Sequence, residues 1–167
     1  MTLRRLLKHL ATPRWWALRR FGGDDLAAIE AAVTAAEARH RGELRFALEG
    51  PLHPRALWHD LSPRARAVQL FGALGVDRTA DRSGILIYVQ LLDRRVEILA
   101  DRGIAARVPQ SEWDAICRGM EAAFAAGLWR RGAVDAIARA GALLAAHFPA
   151  DSDKDKPNAL SDAPIVL

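Results

Sequence analysis

The spacing of apolar residues changes from helical to strand-like in the first half of the chain. Apolar residues recur at intervals of three and four between residues 24 and 41, which predicts a helix. Residues 43–49 then alternate between apolar and mostly charged side chains, which predicts a strand with one more polar side. Serine and proline start signals next predict a helix in two pieces between residues 54 and 74.

The second half begins with an almost unbroken apolar run over residues 84–92. A strand without polar alternation is covered on both faces, so this strand should be central in its sheet. Asp93 and Arg94 form a turn, and residues 96–100 pair back as the second strand of a hairpin. Two helical patterns follow, over residues 111–127 and 132–147.

This order of elements predicts an α/β fold, a three-layer α/β/α sandwich with a small mixed sheet. A right-handed crossover makes the first two strands parallel, and the hairpin makes the third antiparallel. The chain is predicted to have a basic N-terminal arm (1–22), one α/β domain (23–149) and a flexible C-terminal tail (150–167). The apolar residues 165–167 are expected to dock on a surface, either the protein's own or a partner's.

The arm carries leucines and the pair Trp15–Trp16 among basic residues, and it has two interpretations. The favoured one is that the tryptophans cap the core of the domain, because large aromatic residues mostly serve packing. The alternative is peripheral contact with a membrane, since basic, amphipathic segments with tryptophan lie on anionic bilayers.

Composition narrows the classes of function. Hydrophobic residues make up 51% of the chain, enough for a real core, and the net charge is +4. The arginines are dispersed and no DNA-docking element is present, so no nucleic-acid partner is expected. No apolar run approaches the roughly 20 residues that span a bilayer, and the basic start lacks the apolar core of a secretory signal. We therefore expect a cytoplasmic protein, with membrane association through residues 1–22 as the alternative.

The strong catalytic motifs are missing from the sequence. It contains neither a phosphate-binding P-loop nor a Gly-x-Ser-x-Gly elbow. Its one cysteine, Cys117, lies on an apolar helical stripe, and Ala123 stands where a cysteine phosphatase would place arginine. Cys117 is therefore expected to be a buried, inert thiol.

One group of oxygen-bearing side chains is brought together by the predicted topology. The loop before the central strand and the residue after its hairpin partner meet at one edge of the sheet, and the first strand starts at that same edge. The residues concerned are Glu43, Asp77, Asp81, Ser83 and Asp101. Hard cations take oxygen ligands, so the four acids are the predicted ligands of calcium or magnesium.

Arginines occupy the same loops and leave two alternatives open. Arg78, Arg82, Arg102 and Arg107 would neutralise the acids through ordinary ion pairs. Alternatively, Arg82 and Arg102 form an anion site, because guanidinium groups match carboxylate or phosphate.

Two stretches of the sequence resemble the TPM-domain family. They read DRSGILIYV at residues 81–89 and DRRVEI at residues 93–98, and the pair Gly42-Glu43 also fits the pattern. The likeness spans about residues 24–148 and is greatest to short bacterial members without signal or membrane segments. Two departures are Ser83, where the family often has asparagine, and Ala105, where many members have glutamate.

This resemblance implies an α/β/α sandwich and two rival functions. The first is an accessory or binding domain with an unidentified protein partner, acting in the maintenance of membrane proteins or the envelope, with a divalent cation at one edge of the sheet. The alternative is a cation-dependent, acid-phosphatase-like phosphoester hydrolase. In the hydrolase, Asp81 and Asp101 would hold the metal, and Asp77 or Glu43 would support it or activate water. Arg82 or Arg102 would steady the phosphate.

Overall fold

A computed structural model describes residues 3–79, 81–150 and 160–167. Within these ranges the chain alternates between helices and short strands. The helices are α1 (Leu3–Ala11), α2 (Arg14–Leu18), α3 (Gly23–Glu37), α4 (Pro54–Trp58), α5 (Pro63–Ala73), α6 (Arg102–Ala105), α7 (Gln110–Ala125) and α8 (Trp129–His147), and a 3-10 turn covers Val76–Arg78. The strands are β1 (Leu44–Glu49), β2 (Ile85–Gln90), β3 (Arg95–Ala100) and β4 (Ile165–Val166).

The four strands form one mixed sheet in the order β3-β2-β1-β4. As predicted, β1 runs parallel to β2, and β2 pairs with β3 as an antiparallel hairpin. All six residues of β2 are buried, in keeping with its unbroken apolar sequence. The prediction of a central strand here is confirmed.

Helices cover both faces of the sheet. Helices α3, α7 and α8 pack with the main apolar cluster, which takes alternate residues of β1 and β2 such as Phe46 and Ile87. On the other face, Ala67 and Leu70 of α5 pack with Leu86 and Tyr88 of β2. The predicted three-layer sandwich is therefore confirmed.

The N-terminal arm is helical, and the structure corrects the favoured interpretation of its tryptophans. Trp15 is 64% exposed and Trp16 is 47% exposed, so neither caps the core. Phe21 at the end of the arm is the aromatic residue that enters the core. Within the described residues, no helix is long and apolar enough to cross a membrane.

Residues 165–167 dock on the protein's own sheet. The amide of Leu167 donates to the carbonyl of Leu48 at 2.8 Å, and the amide of Gly50 donates to the carbonyl of Leu167 at 3.1 Å. This pairing makes β4 a parallel neighbour of β1, so these residues belong to the folded domain and not to a flexible tail. Residues 151–159 of the predicted tail lie outside the described residues.

Candidate functional site

The register of the sheet places two of the predicted ligands in one row, on either side of β2. Glu43, Gly84 and Asp101 occupy one row just beyond the ends of β1, β2 and β3. The amide of Ile85 donates to the carbonyl of Glu43 at 2.8 Å, and the amide of Asp101 donates to the carbonyl of Gly84 at the same distance. The backbone thus places Glu43 and Asp101 at the same edge of the sheet, with Gly84 between them.

The loop before β2 also meets the start of α6 at this edge. The amides of Gly103 and Ile104 donate to the carbonyl of Arg82 at 2.9 and 3.3 Å. A Cβ at Gly103 would lie 2.4 Å from the carbonyl oxygen of Asp81, so only glycine allows this close approach. Asp81 and Asp101 therefore lie at the same edge of the sheet.

The predicted site residues differ in burial. The buried ones are Glu43, Ser83 and Asp101, which we call the acidic rim. The exposed ones are Asp77, Asp81, Arg82 and Arg102. The carboxylate of Asp81 lies 3.6 Å from the guanidinium of Arg41, an ion pair between partly exposed side chains that contributes little stability.

The acidic rim contains polar atoms without a protein partner. One carboxylate oxygen of Asp101, Oδ1, accepts from the amide of Arg102 at 2.7 Å and caps α6. The other, Oδ2, and the hydroxyl of Ser83 are buried and have no hydrogen-bond partner within the part of the chain that the structure describes. A buried polar atom left unpaired costs about 1–3 kcal/mol, so a water molecule or an ion is the expected companion.

The donor set of the acidic rim limits which cation fits. Among residues 3–79, 81–150 and 160–167, no three His, Cys, Asp or Glu side chains are grouped so that they could hold a metal ion. The rim itself offers two carboxylates, Glu43 and Asp101, with the hydroxyl of Ser83 between their strands. Calcium takes six to eight oxygen ligands, whereas magnesium is often held by one or two carboxylates and retains several waters. Two carboxylates are fewer oxygen ligands than calcium takes, so a cation held by them would keep most of its water.

Sequence reasoning missed a polar network at the opposite end of β2. The carboxylate of Asp93 binds the guanidinium of Arg5 and lies 3.1 Å from Nε2 of His9. Since Nδ1 of His9 accepts from the amide of Leu52 at 3.0 Å, the ring proton is on Nε2 and points at Asp93. Burial alone would raise the pKa of Asp93, but hydrogen bonds from His9 and Arg5 outweigh it and lower that pKa to about 2.

A second missed cluster joins β1, β2 and α5. The hydroxyl of Tyr88 donates to the carboxylate of Glu49 at 2.5 Å, and Arg66 binds the same carboxylate with contacts of 2.7–3.1 Å. Burial raises the pKa of Tyr88 far above its usual value, and the charge of Glu49 raises it further. The signal in the sequence was a tyrosine within an apolar strand, because a buried tyrosine hydroxyl needs a partner.

A cleft of about 330 Å³ lies where β2 leads into its turn. Its lining combines arginines with aromatic side chains, including Arg20, Arg94, Arg95, Phe124 and Trp129. The guanidinium of Arg20 lies over the ring of Trp129, 4.9 Å from its centroid. This cleft is therefore basic and aromatic, unlike the acidic rim at the other end of the strand.

Cys117 shows no sign of activation. Its side chain is partly buried, and burial raises the pKa of the thiol to about 12. The thiol is therefore protonated at neutral pH, in keeping with the prediction of an inert cysteine.

Comparisons with known proteins identify similar sequences and folds. A family model described as the TPM domain matches residues 21–143. A similar solved structure is the NMR structure of the BA42 protein from the psychrophilic bacterium Bizionia argentinensis, which is 29% identical to this chain with a TM-score of 0.76. The match covers 88% of this chain and 95% of that chain. Comparison with curated proteins gives no match.

Proposed function

The chain belongs to the TPM-domain family, and on that premise we propose that it is an accessory binding domain with a hydrated divalent cation at the acidic rim. The observation that carries the proposal is Oδ2 of Asp101, a buried carboxylate oxygen without a hydrogen-bond partner among the described residues. A cation would satisfy this oxygen and would balance the charge of its carboxylate. The family resemblance supports a role of this domain in maintaining membrane proteins or the envelope, together with a protein partner.

Thermal unfolding with calcium or magnesium tests the cation. Wild type should melt about 5–10 °C higher at a cation concentration of about a hundred times Kd, because a ligand of the folded state stabilises it. Asp101→Asn should lose this rise, since the amide removes the negative charge. Its remaining oxygen can still cap α6 at the amide of Arg102, so the fold is preserved.

The matched control is Asp114→Asn on α7. Asp114 is an exposed acid that accepts a hydrogen bond from Gln110 at 2.9 Å and lies outside the rim. It should keep the full cation-dependent rise. An equal rise in wild type and Asp101→Asn, or none in wild type, would contradict the cation site.

The second candidate is a cation-dependent phosphoester hydrolase at the same rim. It is favoured by two exposed arginines that could bind a phosphate group. Arg102 follows Asp101 in the chain, and the carbonyl of Arg82 accepts from the amide of Gly103. Turnover of para-nitrophenyl phosphate should then disappear in the double variant Asp81→Ala, Asp101→Ala. Turnover that persists unchanged in that variant would come from a contaminant and would exclude this candidate.

A further inference from the structure

We propose that α1 and α2 dock this protein on the surface of an anionic lipid bilayer. The first observation is the orientation of α1. Leu3, Leu7 and Leu10 are 70%, 56% and 55% exposed, and we call them the leucine face. Their spacing of four and three residues places them on one side of the helix.

The opposite side of α1 holds the helix to the domain through polar groups. Arg5 and His9, four residues apart, both bind Asp93 in the turn after β2. A helix on a globular domain normally buries its apolar side and exposes its polar side. In α1 the polar side faces the domain instead, because Arg5 and His9 bind Asp93. The leucine face is therefore exposed to solvent.

The exposed apolar surface continues into α2. Trp15 and Trp16 are exposed there, and the guanidinium of Arg20 lies 5.7 Å from the ring centroid of Trp16. Tryptophan is enriched at the boundary between lipid and water, because its ring is apolar and its N–H is polar. Leucines and tryptophans thus present the side chains that enter the outer layer of a bilayer.

Several basic side chains lie near Lys8 of α1. Burial lowers the pKa of Lys8, and neighbouring cations lower it further, namely Arg94, Arg4 and Arg20. Asp93, the acid that acts on Lys8 in the opposite direction, is already bound by Arg5 and His9. The helix that carries the leucine face contains Arg4, Arg5 and Lys8 and no acid, and anionic headgroups complement that charge.

This charge selects a bilayer over a second copy of the chain. A two-fold contact through the leucine face would place Arg4 of α1 near its own copy, and like charges across an interface oppose association. An anionic bilayer accepts the leucines and neutralises the arginines at once. Charge therefore favours lipid over a second copy of the chain.

The inference is independent of the cation at the acidic rim. Asp93 follows the last residue of β2, whereas Gly84 precedes its first residue, so the two features lie at opposite ends of the strand. Six strand residues separate them by about 20 Å. Contact with a bilayer through α1 would therefore leave the rim free for a partner.

Vesicle flotation of the full chain tests the proposal. Wild type should float with vesicles of phosphatidylcholine and phosphatidylglycerol, and less with phosphatidylcholine alone. The triple variant Leu3→Gln, Leu7→Gln, Leu10→Gln should bind at least about tenfold more weakly, because three apolar side chains no longer enter the lipid. Val68→Gln on α5 is the control, since Val68 is also 55% exposed, and it should float like wild type.

A charge variant tests the other half of the proposal. Arg4→Gln with Arg94→Gln should weaken binding to the mixed vesicles about tenfold or more, since each basic residue near an anionic surface contributes about a fivefold change. Added salt should also weaken the binding of wild type to the mixed vesicles, because it screens the attraction between the basic residues and the anionic lipid.

Three results would overturn the proposal. They are no flotation of wild type with the mixed vesicles, equal flotation of wild type and the triple leucine variant, and a dimer of wild type that the leucine variant abolishes in the absence of lipid. The last result would identify the leucine face as a protein interface. The cation-dependent rise in melting temperature should persist in the leucine variant, so failure here is distinct from failure of the rim.

Discussion

The guanidinium of Arg5 holds the carboxylate of Asp93 through three nitrogen–oxygen contacts of 2.8–3.1 Å, although the two residues are 88 positions apart. Arg5 also donates to the carbonyl of Leu61 at 2.8 Å, so one side chain joins α1 to two loops. The side chains of Arg5 and Asp93 are 18% and 12% exposed, which shields the pair from solvent screening. This contact determines how the N-terminal segment meets the domain.

Replacing Asp93 with asparagine should destabilise the protein. The guanidinium of Arg5 would lose its counter-charge in a partly buried place, at a cost of about 1–3 kcal/mol. Urea unfolding of wild type and Asp93→Asn measures this loss. Asp135→Asn is the control, because Asp135 is 64% exposed and pairs with Arg131 on one face of α8, and it should stay within about 0.5 kcal/mol of wild type. Equal losses in both variants would show that Asp93 has no special role.

The same carboxylate predicts a dependence of stability on pH. The pKa of Asp93 is about 2 in the folded protein, below its value of 3.8 in an unfolded chain. Its contribution is therefore complete above pH about 4 and is lost as the pH falls through about 2. The difference in unfolding free energy between wild type and Asp93→Asn should shrink over that interval. A difference that stays constant down to pH about 2 would contradict the lowered pKa.

Glu49 should be more sensitive to neutralisation than a surface acid. Glu49→Gln removes the charge that faces Arg66 while keeping an acceptor for Tyr88, and we expect a loss of about 1–3 kcal/mol. Glu97→Gln is the comparison, because Glu97 lies 3.5 Å from a half-exposed Arg64. Thermal or urea unfolding should show a change of at most about 0.5 kcal/mol for Glu97→Gln. A smaller loss for Glu49→Gln than for Glu97→Gln would refute the buried cluster.

Gly103 should not tolerate a methyl group. Its Cβ would lie 2.4 and 2.6 Å from the carbonyl oxygens of Asp81 and Arg82, and backbone cannot yield cheaply. Gly103→Ala should cost about 1–3 kcal/mol and disturb the acidic rim. Gly119→Ala on α7 is the control, because its nearest neighbour would be 3.6 Å away, and alanine should stabilise the helix by up to about 1 kcal/mol. Equal melting temperatures for the two variants would argue against the close approach at Gly103.

The sheet was predictable because its pairing follows from local patterns. The apolar run around Tyr88 identifies a strand covered on both faces, and the helical segment between the first two strands imposes parallel pairing. The edge where Glu43 and Asp101 meet follows from that topology alone. The role of Asp101 as the cap of α6 did not follow, because this four-residue helix is too short to give a periodic pattern.

The docking of α1 was not predictable in the same way. Hydrophobic periodicity detects an amphipathic helix but does not say which side faces the domain, and here polar contacts decide the matter. The partners of Arg5 and His9 lie in loops that are distant in the sequence. The size of a tryptophan predicts packing in the core, but size does not show which way a residue on a short helix faces. In the structure Trp15 is exposed to solvent.

Strand β4 has a consequence for association between copies of the chain. A strand at the margin of a sheet exposes amides and carbonyls that can recruit another strand. Val166 and Leu167 occupy that margin beside β1, and Arg14 secures them through a 2.8 Å hydrogen bond to the carbonyl of Val166. Deleting residues 165–167 would therefore leave β1 as an exposed edge strand. The shortened protein would be prone to intermolecular strand pairing and aggregation.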